Sequence, residues 1–580
     1  MQHVQNARKY GVKYDVIAGR YDVIFISGEK LFDHPLCGIA ILKRLLEKRG
    51  YSVGVIEAPQ NETDVLRLGK PNLFFGAGSG SIDSMVRNYT PLNKKRSEVE
   101  RLHFVQTIPD RALLVYSNWI RKHFKDSVLV IGGTEASLRR LTHYDYWDNK
   151  LRRSILLESR ADILVYGCGE KQVEEIAKRI KENKGLTVIE QRKSLTGIAG
   201  TCIRSNHVPD GFTVLPDHDE VVASKKRFCD MQNLLSNDTN LAQKTDKSFV
   251  LQYKSPVYTS KDLDEYYELP FTRKAVDDQT KGFEFSVVTH RGCIGNCNFC
   301  SLRLTMGNKI ISRSEGSILR EIRHITTLPH FRGNIDDLGG PSANMYGMDC
   351  SACGGDCIDC PKLDRSHRKL IELMRKARNI HGVKKIFVRS GVRYDLATKD
   401  YLREMVNFHV SGKLKIAPEH VNKSVLRLMN KDRGNIERFV KEFNEIGKCE
   451  LAFYFITAHP GSTLKEATEL ADAIRKLRNA ESVQIFTPTP MTVSTCMYYT
   501  GMDPKTGEKV YVPLTFREKK EQKRILMLQR IIPQKRNPMP KNRNPVPEKR
   551  DLMPQRRDRQ RNDRRSPGRN VRPSSRRNDR

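Results

Sequence analysis

The chain of 580 residues has no apolar run long enough to cross a bilayer. Its longest, such as Ser127 to Ile131 and Leu451 to Thr457, are of strand length, far short of the ~20 residues a span needs. Met1 to Arg20 lacks both an apolar stretch and a cleavage-like site, so no secretory leader and no membrane association are expected, and the cytoplasm is the expected compartment. No internal repeat is visible. Residues 533–580 hold no Tyr, Phe or Trp and almost no aliphatics, which excludes both a packed core and a base-stacking platform there. With eight prolines and repeated Arg, Asn and Asp, this tail reads as disordered.

What is present is positive charge and sulfur. Lys and Arg number 102 against 68 Asp and Glu, a net charge of +34. Residues 531–580 alone carry 17 basic and 5 acidic side chains. Such a tail suits nonspecific RNA contact through counterion release, with simple solubility as the alternative. Thirteen cysteines, seven of them clustered in two short tracts, fit metal ligation in a reducing compartment better than a disulfide framework.

Over residues 1–185, short apolar runs at Tyr21–Ser27, Ser52–Ile56, Leu73–Gly76, Ser127–Gly133 and Asp162–Gly167 alternate with helical segments. That alternation predicts an open parallel α/β sheet of Rossmann-like type. Residues 186–280 read as a connecting region. A second α/β series spans 281–515, with strands expected at Phe285–Thr289, Asn334–Leu338, Lys384–Val388, Lys413–Ala417, Glu450–Thr457 and Ser482–Phe486. Six strands fall short of the eight of a closed barrel, so a partial, open (β/α)6 barrel is expected. A helix over 516–532 precedes the tail at 533–580.

Immediately after the first strand of this series, Cys293, Cys297 and Cys300 stand at C-x3-C-x2-C spacing. Three thiolates are one short of the four that close an iron–sulfur or zinc site. A [4Fe–4S] cluster held by three cysteines keeps one iron open, and that iron can chelate the amino and carboxylate groups of S-adenosylmethionine. A zinc knuckle lacking a ligand, or three buried thiols, are the bland alternatives.

This loop, with an aromatic before its last cysteine, resembles the radical S-adenosylmethionine (radical SAM) superfamily. The resemblance implies reductive cleavage of the sulfonium to a 5′-deoxyadenosyl radical, with Cys293, Cys297 and Cys300 as cluster ligands. It also implies that Gly339 and Gly340, in Asp337-Leu338-Gly339-Gly340-Pro341, contact the methionyl amino group, where the close approach of backbone calls for glycine; a plain strand-end turn is the alternative. Arg389, Ser390 and Arg393 are expected to face the cofactor carboxylate or the substrate. Glu419 and His420 are expected to hold a ribose hydroxyl, and His459 and Gly461 to lie near adenine. Each of these charges reads equally as a solvated cap. Gly78–Val86, Tyr89–Pro91, Ile131–Arg140, Ser390–Asp395 and Phe486–Met491 together resemble the YgiQ-type radical SAM proteins over about residues 20–515. The substrate class stays open among a metabolite, a cofactor precursor and RNA. A flavodoxin- or ferredoxin-like electron donor is implied. The other class of function is a noncatalytic iron–sulfur protein that acts as a binding module or redox sensor.

A second tract, Cys350, Cys353, Cys357 and Cys360, lies in an insert at 345–362. Its density suits an auxiliary iron–sulfur cluster, because zinc ribbons usually separate their cysteine pairs by ~12–20 residues. Zinc and unliganded loop cysteines remain alternatives. The N-terminal domain resembles cobalamin-binding domains, but Asp33-His34-Pro35-Leu36-Cys37-Gly38 places His one position early for the D-x-H-x-x-G pattern. That departure argues against histidine-ligated cobalt. A domain that shapes the substrate mouth is preferred to one that binds cobalamin without a histidine ligand.

Overall fold

A computed structural model describes residues 20–531 apart from 98–107, 351–356, 411, 448 and 478–479. The basic tail and Cys353 lie outside the described residues.

The N-terminal sheet begins with β1 (Val23–Ser27), β2 (Val53–Glu57), β3 (Phe74–Gly78), β4 (Val128–Gly132) and, after a small hairpin of β5 (His143–Asp145) and β6 (Lys150–Arg152), β7 (Ile163–Val165). Every residue of β1 and β3 is buried. Continuous apolar runs of this kind belong to parallel strands covered on both faces. The covering helices show the complementary pattern. In Glu170–Glu182 the buried Val173, Ile176, Ala177 and Ile180 follow i, i+3, i+4, i+7 spacing and form one apolar stripe.

The region expected to connect the two halves builds into this same sheet. It supplies β8 (Thr201–Ser205), β9 (Thr213–Val214), β10 (Leu241–Thr245) and β11 (Ser248–Gln252), giving nine strands in the order β2-β1-β3-β4-β7-β8-β11-β10-β9. β1 to β4 and β7 pair in parallel, whereas β8 and β11 add on antiparallel. Polar side chains hid these strands in the sequence. Gln243 and Gln252 are buried because each has a partner: Gln243 Oε1 accepts from Thr142 N at 2.8 Å and Gln252 Oε1 from Arg140 Nε at 2.7 Å.

The second series starts at β12 (Ser286–Val288), followed by the short pair β13 (His290–Arg291) and β14 (Ile311–Ser312). It continues through β15 (Asn334–Ile335), β16 (Asp337–Gly339), β17 (Lys385–Ile386), β18 (Lys413–Glu419), β19 (Glu450–Thr457) and β20 (Ala480–Ile485). Parallel pairing joins β12 to β16, β15 to β17, and β18 to β19 to β20. A parallel bridge between Val392 and Ile416 closes the step from β17 to β18. Six parallel strand positions with intervening helices form the partial barrel. Its last strand leads into Phe486, Met491, Cys496 and Tyr498, which return to the hydrophobic core of the N-terminal sheet. The final helix, Phe516–Ile531, packs on helix Leu464–Leu477. No helix among the described residues is long and apolar enough to cross a membrane.

Candidate functional site

The three-cysteine loop leaves the barrel between β13 and β14. Gly292 opens it in the left-handed region, φ +84°, where an added Cβ would collide with Lys309 O, so only glycine fits. Cys293 N then donates to Gly307 O at 3.2 Å, Gly295 N to Cys293 Sγ at 3.4 Å, and Cys300 N to Cys297 O at 3.1 Å. Remote segments fix the outside of the loop. Asn298 donates from its backbone to Met429 O and from Nδ2 to Leu428 O, both at 2.9 Å. Asn430 Nδ2 donates to Asn296 O at 2.7 Å, and Ser494 N to Asn298 O at 2.9 Å.

Two buried cations approach the thiols. Arg393 Nη1 lies 3.3 Å from Cys297 Sγ, while Asp395 holds the guanidinium through Nε at 2.8 Å and Nη2 at 2.5 Å. Burial opposes this charge, but Asp395 and the Cys297 sulfur hold the guanidinium protonated. An added Cβ on Gly295 would collide with Arg393 Nη1, so glycine makes room for the contact. Lys431, also buried, pairs with Glu419 at 3.0 Å. Burial raises the Cys293 thiol and pushes Cys300 up to about 12, with the Lys431 charge acting in the opposite sense on both.

Among the described residues, no three His, Cys, Asp or Glu side chains gather as ligands of a single metal ion. The three thiols instead offer separate attachment points around one loop, the donor set with which a cluster is held iron by iron. Three thiols on one loop, with an Arg393 N–H directed at one of the sulfurs, fit an iron–sulfur cluster.

The other expected residues divide between the site and its scaffold. Gly339 ends β16, and Gly340 packs so tightly on the His290 ring that an added Cβ would lie 2.5 Å from Cε1. Ser390 Oγ donates to Asp337 Oδ2 at 2.7 Å. Arg389 is exposed and donates to Gly282 O at 2.7 Å, so the structure does not bring it to the cysteines; Arg393 occupies that position. Glu419 is buried with its backbone in the left-handed region, φ +68°. His420 is buried beside it, accepts from Asn422 N at 3.0 Å, and is pushed down to about 4 by burial. His459 uses both ring nitrogens, donating from Nδ1 to Pro460 O at 2.8 Å and accepting at Nε2 from Ser494 Oγ at 2.7 Å. It therefore braces the segment that tethers the cysteine loop. Gly461, φ +90°, would collide with Leu428 if it carried a Cβ.

Of the second tract, Cys357 is buried, and Cys350 and Cys360 are half-buried. Cys357 shares an apolar cluster with Ile294, Ile310 and Met348, against which Cys293 packs. The described part of the insert therefore sits directly against the first loop. Asp359 pairs with Arg433 at 2.5 Å, and Arg433 Nη1 donates to Asn430 O at 3.2 Å.

In the N-terminal domain, His34 is buried, accepts from Leu36 N at 3.1 Å, and lies 3.1 Å from Glu284 O and 3.0 Å from Arg273. Neither ring nitrogen is available to a metal. The motifs at 78–86 and 131–140 interlock at the carboxyl ends of β3 and β4: Ser84 N donates to Glu135 at 2.9 Å, and Arg139 bridges Asp83 and Asp145, each at 2.8 Å. Helix Gly133–Leu138 packs on helix Leu302–Met306, which directly follows Cys300. The N-terminal sheet thus supports the cysteine loop from behind. A cavity of about 510 Å³ opens at the ends of β1 and β2, lined by Lys30, Glu57, Gln60 and Arg67; it contains none of the cysteines.

Comparison with known families places a radical SAM N-terminal region over residues 14–284, the radical SAM superfamily over 287–474, and a domain of unknown function over 481–531. A UPF0313 protein of Methanocaldococcus jannaschii is 42% identical over 87% of this chain and 89% of its own length. One from Fusobacterium nucleatum is 39% identical over 88% and 96%. Among solved structures, the radical S-adenosylmethionine methyltransferase TsrM of Kitasatospora setae, with cobalamin and a [4Fe–4S] cluster bound, matches 87% of this chain and 90% of its own at 15% identity and a TM-score of 0.49.

Proposed function

Because the chain belongs to the UPF0313 family and to the radical SAM superfamily, we propose that Cys293, Cys297 and Cys300 hold a [4Fe–4S] cluster with one iron left for S-adenosylmethionine. The protein is then an enzyme acting on a metabolite, a cofactor precursor or RNA. When bound, such a cluster supplies one-electron reduction of the sulfonium, the chemistry that gives a 5′-deoxyadenosyl radical in this superfamily.

The observation that carries this reading is the approach of Arg393 to Cys297 in a loop already fixed by Gly292 and Gly295. The guanidinium N–H directed at the Cys297 sulfur is the kind of donor that supports a metal-bound cysteine from outside the ligand set. Lys431 is a second buried cation whose charge acts on the Cys293 and Cys300 sulfurs, and each cation is held in place by its own carboxylate, Asp395 or Glu419. Gly339 and Gly340 offer backbone without side chains at the end of β16, suited to the methionyl amino group. Glu419, held by Lys431, is the carboxylate at the mouth of β18 and would accept from a ribose hydroxyl. His459 acts as a brace rather than as a cofactor contact.

Cys350, Cys353, Cys357 and Cys360 are assigned to an auxiliary iron–sulfur cluster, with zinc as the alternative occupant. The Rossmann-like domain shapes the substrate mouth. The enzyme would work in the cytoplasm with a flavodoxin- or ferredoxin-like donor. The test is anaerobic reconstitution followed by dithionite and S-adenosylmethionine. Formation of 5′-deoxyadenosine supports the reading, and a full cluster that yields none turns it toward a binding module or redox sensor.

A further inference from the structure

Cys229 and Cys496 stand 267 residues apart in sequence, yet their sulfurs lie 3.9 Å from each other. Each sits on a helix, Lys225–Leu234 and Val493–Thr500, and the two helices pack together. Among the described residues no third His, Cys, Asp or Glu joins them as a metal ligand set. We propose that Cys229 and Cys496 form a redox-active dithiol, a covalent modification site separate from both iron–sulfur tracts, which closes to a disulfide when a hydroperoxide oxidises Cys229.

Closing the bond requires the sulfurs to approach by about 2 Å, to the 2.03–2.05 Å of a disulfide. The order of events follows from access and charge. Cys229 is 6% exposed and Cys496 is 0% exposed, so a small oxidant meets Cys229 first. The hydrogen bond from Cys496 brings the Cys229 thiol down to about 7, which supplies the nucleophile, while burial holds Cys496 protonated. The Cys229 thiolate attacks the O–O bond, forms an S–O bond and releases an alcohol, or water from hydrogen peroxide. Cys496 then loses its proton, bonds to the sulfenic sulfur and expels water. Two thiols and one hydroperoxide give one disulfide, one alcohol and one water, with two electrons passing from sulfur to peroxide oxygen.

The consequence reaches the cluster loop. Ser494, on the same helix as Cys496, donates its N–H to Asn298 O and its hydroxyl to His459. A disulfide would fasten that helix to Lys225–Leu234 and hold the tether in place under oxidising conditions. This site does not depend on the proposed radical chemistry.

The experiment treats full-length, anaerobically purified protein with limiting hydrogen peroxide, blocks free thiols with N-ethylmaleimide under denaturing conditions, and maps the unreduced digest by mass spectrometry. A Cys229–Cys496 cross-linked peptide that disappears on reduction is expected. Cys496→Ser should leave Cys229 as a sulfenic acid trapped by dimedone, and Cys229→Ser should leave Cys496 fully maleimide-labelled. Quantitative labelling of both wild-type thiols after other cysteines have oxidised, or pairing of Cys229 with a different cysteine, overturns the proposal. The wild-type map decides the matter even if a variant fails to fold.

Discussion

Arg393 aims its guanidinium at the sulfur of Cys297 across 3.3 Å, and Asp395 grips the opposite side of the same group. One buried ion pair thereby determines the hydrogen bonding of a proposed cluster ligand. Hydrogen bonds to cysteine sulfur raise the potential of an iron–sulfur cluster by stabilising its reduced, more negative state. Arg393→Gln should therefore lower the midpoint potential in an electron paramagnetic resonance titration. Arg393→Lys keeps the charge without the fork that Asp395 holds, and should fall between the two.

Gly295→Ala tests the same contact from the other side, because its added Cβ competes with Arg393 Nη1 for space. Its effect on the potential should match that of Arg393→Gln in direction. The double variant should add little to either single change, as expected for residues acting through one contact. Simple addition of the two shifts would show that the glycine acts independently.

The buried pair of Glu419 and Lys431 is a stability prediction as well as a functional one. Lys431→Met leaves Glu419 without its cation, which at a buried site costs about 3–5 kcal/mol. Changing both, with Glu419→Gln added, should recover much of that loss in urea unfolding.

His143 gives the chain an acid sensitivity unrelated to the cysteines. It donates from Nδ1 to Leu141 O at 3.0 Å and faces Arg139 at 3.3 Å, and burial, reinforced by Arg139, pushes it down to about 3. The unfolded chain takes up this proton near pH 6.5 and the folded chain does not, so stability is present above pH 6.5 and falls as pH drops below it. At pH 5 the loss is about 2 kcal/mol. His143→Gln should remove that part of the pH dependence of unfolding.

Replacing Cys353 and Cys357 should reduce iron from about eight to about four per chain while 5′-deoxyadenosine formation by the first site is retained in part. Unchanged iron with loss of zinc would assign the second tract to zinc.

The two cysteine tracts stand out in the sequence because spacing within one loop is local information. The six barrel strands were legible because each is a short apolar run between helical stretches. Lys431, Asn298 and Asn430 were not, since each acts through a partner brought close only by folding, and Arg393 stood undistinguished among three candidates until the backbone turned Arg389 outward. The strands β10 and β11 were missed because buried glutamines disguise a core strand until Thr142 and Arg140 are seen to satisfy them. His459 held a motif-like position, but its hydrogen bonds to Pro460 and Ser494 are brought together by folding and could not be read from its neighbours in sequence.

The loop of Cys293, Cys297 and Cys300 is proposed to support reductive cleavage of S-adenosylmethionine. The direct measurement is 5′-deoxyadenosine formed by the anaerobically reconstituted, dithionite-reduced wild type beside Cys297→Ala. Product from the wild type, and neither product nor first-site cluster signal from Cys297→Ala, is the predicted result. Equal product from both proteins, or none from a wild type with a full cluster, would contradict it.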